Sequence, residues 1–359
     1  MTAVILLLAA ICLVLLEQKW AAYALRSLDV HTQCDHYLAE PGQPVTWSIT
    51  VENHSRLPIP FVRFVQSFPN EAKSHADKAW WKSYCRKGIL SWDAEFRMTI
   101  RGRRSITRKV TVSFPERGVY KIGSYHLSAG DLLGFREVKR HGEGGHIVVM
   151  PHRSRQQTAV DAVGGFLGDI SVRRFILEDP ILTTGFRDYT GREPMRAISW
   201  VRTAQTGSLQ VKQYDFTAEH HVMVLLNTEG ADDQQLEECL RLTRSVCEKL
   251  EQQKIPYGFR TNANLPGPVG KVHTMVEGLG QQHLHTILYG LGRADKTCFY
   301  SFRYLTRQTL KSRKSSEAYI VIAPDNKGTA RDCILELSNA SGSPACVLLG
   351  SEEVTQQCG

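Results

Sequence analysis

The sequence predicts an α+β multidomain protein: an N-terminal transmembrane helix, a small antiparallel β-sandwich, and a C-terminal α/β domain on a parallel sheet. Three observations carry that prediction. The chain opens on an unbroken apolar run, Ala3 to Leu16. From Val30 to Arg153, short alternating strands follow one another between turn signals. From His220 onward, continuous apolar runs alternate with helical stripes. With 359 residues there is room for two or three domains. A hydrophobic share of 42% and a charged share of 22% suit a globular chain rather than a disordered one.

The first element, residues 3–25, reads as a membrane anchor. The run to Leu16 alone rises only about 21 Å as a helix, short of the roughly 30 Å hydrocarbon core. Its continuation adds Trp20 and Tyr23 as interface residues and Lys19 as a snorkelling cation. A cleavable signal peptide is the alternative, but it expects positive charge before the apolar run. Here Lys19 and Arg26 follow it. The positive-inside rule then places the rest of the chain in the cytoplasm, as a single-pass protein of the cell membrane.

Residues 30–153 form the expected β-sandwich. Val45, Trp47, Ile49 and Val51 alternate inward after the Pro41-Gly42 turn. LPIPFVRFVQSF, FRMTIRG, RKVTVSF, GVYKIGSYHLSAG and GHIVVMP continue the rhythm. The net charge is +8 and is spread widely, so no nucleic-acid partner is expected. The densest basic run, Arg101 to Lys109, is either a solvated turn or a contact for anionic lipid headgroups.

Residues 154–218 read as a linker followed by a long polar stretch. Residues 219–352 read as the α/β domain. Val222 to Leu226 suits a strand buried on both faces, and Leu236, Leu240, Leu242, Val246 and Leu250 form a helical stripe. AYIVIAPD and PACVLLGS are further strands around the helix TARDCILELSNAS. Ligands of such sheets bind at the carboxyl ends of the strands. Those tips carry Asn227-Thr228-Glu229, Thr261-Asn262 and Pro324-Asp325.

The residues offer little chemistry. The nine cysteines are odd in number and contain no Cys-x-x-Cys, which points to reduced, packed thiols. No nucleophile elbow, phosphate loop or His-Glu-x-x-His occurs. No catalytic residues and no cofactor are expected. A Mg²⁺ site at the first strand tip is the alternative, with Asn227, Glu229 and Asp325 as a degenerate ligand set. Asp232 and Asp233 suit the start of the following helix instead.

The stretch from Gly185 to Asp215 holds the most specific pattern. It reads Arg187-x-Tyr189, then Arg196-x-Ile198-x-Trp200, then Thr206-Gly207-x-Leu209-x-Val211-Lys212. This resembles the family known as domain of unknown function 58 (DUF58). Glu193, Ser199 and Gln205 depart from that family's pattern, which has Asp, Asp and Arg there. The apolar N-terminus, ERGVYKIG, GDLLGF and the α/β tail are similar to the family's layout. The resemblance implies a tail like a von Willebrand factor A domain, whose metal motif is Asp-x-Ser-x-Ser. This chain has Asn227-Thr228-Glu229-Gly230-Ala231 at that place. It also implies partners: a MoxR-type AAA+ ATPase and a transglutaminase-like membrane protein. It implies no reaction.

Read physically, Arg187, Arg196 and Arg202 supply forked donors, and Tyr189 and Trp200 supply flat apolar bodies with polar tips. With Gly207 and Lys212 they form either a clasp fixed by internal Arg–carboxylate pairs or a docking face, since Trp, Tyr and Arg are common interface anchors. Asp188, Glu193 and Asp215 are the acids nearest in sequence. The function expected is therefore a membrane-anchored, non-enzymatic scaffold or adaptor that docks a MoxR-type AAA+ ATPase or an envelope-assembly partner. The alternative is a divalent-metal-dependent binder or enzyme acting at the strand tips.

Overall fold

The computed structural model of the chain describes residues 20, 23–75, 85–130, 137–174, 183–191, 193–214, 221–266, 273–313, 317–342 and 344–350. The chain divides into two compact units, Met1–His152 with Leu288–Arg293, and Arg153–Ile287 with Ala294–Gly359.

The first unit is made of strands: β1 (Leu28–Cys34), β2 (Leu38–Ala39), β3 (Val45–Asn53), β4 (Ile59–Pro69), β5 (Lys73–Ser74), β6 (Cys85–Lys87), β7 (Ser91–Ile100), β8 (Ser105–Ser113), β9 (Gly118–Lys121), β10 (Tyr125–Gly130), β11 (Glu137–Gly142) and β12 (His146–Val149). They form sheets of order β1-β3-β8-β5, β11-β10-β4-β7-β6 and β2-β12-β9. Pairing is antiparallel except between β2 and β12. The period-2 patterns explain the core. Val45, Trp47, Ile49 and Val51 of β3 face inward with Phe64 and Phe68 of β4 and Trp92 and Phe96 of β7. Each such fully buried side chain contributes roughly 1.5–3 kcal/mol.

The outer face of the five-stranded sheet holds one buried carboxylate. Arg63 grips Glu95 through Nε at 2.9 Å and Nη2 at 3.0 Å. Arg97 adds Nε at 2.9 Å and Arg86 approaches to 3.4 Å. The Arg63 hydrogen bonds, and then those of Arg97, hold the Glu95 carboxyl below the usual carboxylate range against the opposing effect of burial.

The fold class with an N-terminal transmembrane helix is corrected. Among the described residues no helix is long and apolar enough to cross a membrane. Most of the expected anchor, residues 3–25, lies outside the described residues. At its end, Ala24 and Leu25 are buried in the same core as β3 and β4, so they pack on protein. A spanning helix needs about 20 predominantly apolar residues, and Glu17, Gln18 and Lys19 end this run early. The connection expected at GDLLGF falls mainly on residues 131–135, outside the described residues.

The second unit contains α1 (Gln157–Arg174), β13 (Thr183–Asp188), a 3₁₀ turn (Met195–Ala197), α2 (Trp200–Thr206), β14 (Gln210–Tyr214), β15 (His221–Leu226), α3 (Asp233–Gln252), β16 (Tyr257–Thr261), β17 (Thr274–Gly278), most of α4 (Gln281–Arg293), α5 (Phe302–Lys311), β18 (Glu317–Ala323), α6 (Gly328–Ser341) and β19 (Cys346–Leu349). Its main sheet has the order β17-β16-β15-β18-β19. Strands β16, β15, β18 and β19 run parallel.

Three features depart from the sequence reading. The main sheet is mixed rather than parallel, because β17 pairs antiparallel with β16. No helix is described between those two strands, and a parallel return needs a crossover, usually a helix. Residues 157–174, read as linker, form α1. Its Ala159, Val160, Val163, Phe166 and Leu167 are buried at helical spacing, a stripe that Gly164, Gly165 and Gly168 obscure in the sequence. Helix α5 has no counterpart in the sequence reading. Its Phe302, Leu305, Thr306 and Thr309 face the core, and two of those four are polar.

Asp232 caps α3 in a reciprocal box. Its Oδ1 accepts from Gln235 N at 2.7 Å, and Gln235 Oε1 accepts from Asp232 N at 3.1 Å.

Candidate functional site

The polar stretch closes on itself as a small module. Strand β13 pairs antiparallel with β14, placing Arg187 opposite Val211 and Asp188 opposite Gln210. Between the strands the chain folds back through the 3₁₀ turn and α2. Ile198 bridges Val211, and both are buried. Backbone bonds tie the layers: Tyr189 N donates to Leu209 O at 2.8 Å, and Ser199 N to Gln210 O at 2.8 Å. Gln210 N donates to Thr203 Oγ1 at 3.0 Å, and the Gln210 amide also reaches Asp188. Gly207 ends α2 at φ +74°, a left-handed position that favours glycine, and its N–H donates to Thr203 O at 2.9 Å.

Two of the three motif arginines are engaged within the module. Arg187 Nη1 lies 2.5 Å from Glu193 Oε1. Thr190 donates to the same carboxylate from Oγ1 at 2.7 Å and from N at 3.1 Å. The Thr190 hydroxyl, followed by Arg187, pulls the Glu193 carboxyl down to about 2. Arg202 stacks over the Phe186 ring, 5.1 Å from its centroid, and donates to Gln205 Oε1 at 3.3 Å.

Arg196 is exposed, and no ion pair holds it among the described residues. Tyr189 and Lys212 are half-buried. The apolar side chains point outward: Met195 is 67% exposed, Trp200 59% and Val201 72%, with Phe186 and Leu209 also exposed. The sequence reading named Trp200 and missed Met195, Val201 and Phe186. Single apolar residues scattered through a polar stretch with no core period were the available signal. Asp215 lies outside the described residues.

The strand tips are built differently. Asn227 and Asn262 are buried, and Asn262 Nδ2 donates to Asn227 Oδ1 at 2.8 Å. That same oxygen accepts from Glu229 N at 3.0 Å. Thr228 N donates to Asn262 Oδ1 at 2.9 Å, and its hydroxyl lies 3.4 Å from Cys298 Sγ. Glu229 Oε2 accepts from Phe302 N at 2.7 Å, at the start of α5. Asp325 is exposed and accepts from Lys327 N at 3.3 Å. Asn227 and Glu229 thus meet through a backbone bond, while no hydrogen bond or ion pair links Asp325 to either. Among the described residues no group of three or more His, Cys, Asp or Glu side chains is arranged to hold a metal ion.

No family model and no curated protein matches the chain. Solved structures give weak likenesses. A non-cellulosomal cohesin from the hyperthermophilic archaeon Archaeoglobus fulgidus is 13% identical at TM-score 0.24, over 36% of this chain and 95% of its own. The sporulation control protein Spo0M of Bacillus subtilis is 14% identical at TM-score 0.21, over 45% of this chain and 58% of its own. The bacterial hydrophobin BslA is 8% identical at TM-score 0.23, over 34% of this chain and 95% of its own. Likenesses at these TM-scores carry no argument about this chain.

Proposed function

We propose that this chain is a non-enzymatic docking protein of the DUF58 type, and that the module of residues 183–214 is its partner-binding face. One observation supports this above the rest: Met195, Trp200 and Val201 point outward together from a module whose Arg187 and Arg202 are engaged internally. Exposed apolar surface gains nothing from folding, and three such side chains within seven residues suit a contact surface. Trp is also among the commonest interface hot-spot residues. Arginines partnered within the module and an outward tryptophan suit the two roles open at the sequence level. The first set fixes the shape, and the second meets the partner.

The partner implied by the family resemblance is a MoxR-type AAA+ ATPase. The test is a titration of purified full-length chain with the MoxR-type ATPase of the same genome. Trp200→Ala removes a central anchor and should weaken binding by roughly 2 kcal/mol or more. Its melting temperature should stay within a degree or two of the parent, because Trp200 is mostly exposed. Loss of fold in Trp200→Ala would assign the residue to the structure. Undiminished binding by a folded Trp200→Ala chain would refute this face as the docking site.

A further inference from the structure

Helix α5 carries a second, separate surface. Its sequence FRYLTRQTLK contains no acid. Arg303, Arg307 and Lys311 are exposed and recur every fourth residue, so they form one stripe with successive side chains about 6 Å apart along the axis. Among the described residues, no ion pair of this unit uses any of the three. The adjacent helix α6 carries Asp332 and Glu336, and neither forms an ion pair with them.

Two like-charge contacts at this spacing, Arg303–Arg307 and Arg307–Lys311, oppose helix formation. Arg303 also reaches the Cys333 thiol of α6, while Arg307 and Lys311 form no ion pair among the described residues. Local rules are most often broken at functional or strained sites.

Aromatic rings border the stripe. Tyr304 packs on Tyr300 at 5.1 Å between centroids, Tyr300 on Phe299 at 5.7 Å, and Phe299 on His273 at 5.3 Å. Phe299 is 69% exposed and Tyr304 50%. Tyr300 is anchored through its hydroxyl to Thr261 O at 2.8 Å. The rings are tilted against one another at 59°, 77° and 31°. They form an apolar ridge rather than parallel platforms for stacked bases.

We propose that the outward face of α5, with Arg303, Arg307 and Lys311 and the bordering Tyr304 and Phe299, docks an extended acidic segment of a partner polypeptide. Charge complementarity selects the occupant. In an extended strand the side chains of one face repeat about every 6.6–6.8 Å, close to the pitch of the cationic stripe. Alternate acids of such a segment meet successive cations, and the residues beside them cover the aromatic ridge. This surface shares no residue with the module of residues 183–214, so either reading can fail alone.

The experiment uses the full chain and a fluorescently labelled peptide of alternating Glu and Ser, followed by anisotropy at low and at physiological ionic strength. Controls are a Gln-Ser peptide and a labelled oligothymidylate. The triple variant Arg303→Ala, Arg307→Ala, Lys311→Ala should bind the Glu-Ser peptide about tenfold more weakly, roughly 1.4 kcal/mol. The variant Arg103→Ala, Arg104→Ala, Arg108→Ala removes the same charge at another turn and should change binding less than about twofold, about 0.4 kcal/mol. Added salt should weaken the wild-type complex, because the charges are exposed. A charge-keeping variant, Arg303→Lys with Arg307→Lys, should retain binding, which keeps the proposal testable if the alanine variant does not fold. Equal losses in the two triple variants, no Glu-Ser binding at low salt, or tighter binding of oligothymidylate would each overturn the proposal.

Discussion

Asn227 shows at the scale of one residue why the strand tip closes on itself. An aspartate there would bring charge for a cation. The buried amide instead accepts from the buried Asn262 amide and from the part-buried Glu229 N. Asn227→Ala strands the buried Asn262 amide and frees the part-buried Glu229 N, which costs about 1–3 kcal/mol. A urea titration should therefore show a lower midpoint at unchanged slope. An unmoved midpoint would mean that the two donors find other acceptors. The sequence exposed the missing charge at this position. It could not expose the Asn262 contact, because 35 residues separate the two and only the parallel pairing of β15 with β16 brings them together. Glu229 is similar, since its role of capping α5 depends on a helix absent from the sequence reading.

Among elements, the closed loop of residues 183–214 depends on Glu193 receiving Thr190 and Arg187. Its carboxyl is pulled down to about 2 from an ordinary value of 4.5. A folded value below the ordinary one means that the stabilisation is present above the ordinary value and is lost as the pH falls through the folded one. The loop should therefore loosen between about pH 4.5 and about pH 2. The amide resonance of Thr190, a direct donor to Glu193, reports this. Its chemical shift should titrate near the low end of that window, and Glu193→Gln should abolish the step. A Thr190 titration near the ordinary value would show that the contact does not persist in solution. The sequence shows the arginines and aromatic residues of this element at their spacing. Which arginine finds a partner within the module was not legible there, because that depends on the fold-back that sets Ile198 against Val211. Helices α1 and α5 were missed for a related reason. Glycines interrupt the stripe of the first, and half of the core-facing positions of the second are polar.

The whole molecule combines a β-rich unit with a mixed-sheet unit, each with its own hydrophobic core. A ligand that binds only the native state raises the melting temperature, by a free energy that grows with the logarithm of ligand concentration above Kd. Because the Asn227 oxygen and the Glu229 carboxylate are already engaged, Mg²⁺ at millimolar levels should leave melting of the full chain unchanged. A rise of several degrees that Asn227→Ala removes would favour a metal-dependent reading of the strand tips.

By itself the sequence determined the places where strict periodicity forces burial: β3 with its alternating Val45, Trp47, Ile49 and Val51, β15 with its unbroken apolar run, and α3 with its leucine stripe. Burying one face, or both, is a local demand that a period of 2 or 3.6 already expresses. Only the tertiary structure decided that Ala24 and Leu25 pack into a protein core, that β17 returns antiparallel, and that Glu193 and Glu229 are held by distinct partners. Those outcomes depend on which distant groups meet. Side-chain chemistry allows many such meetings, and chain topology selects among them.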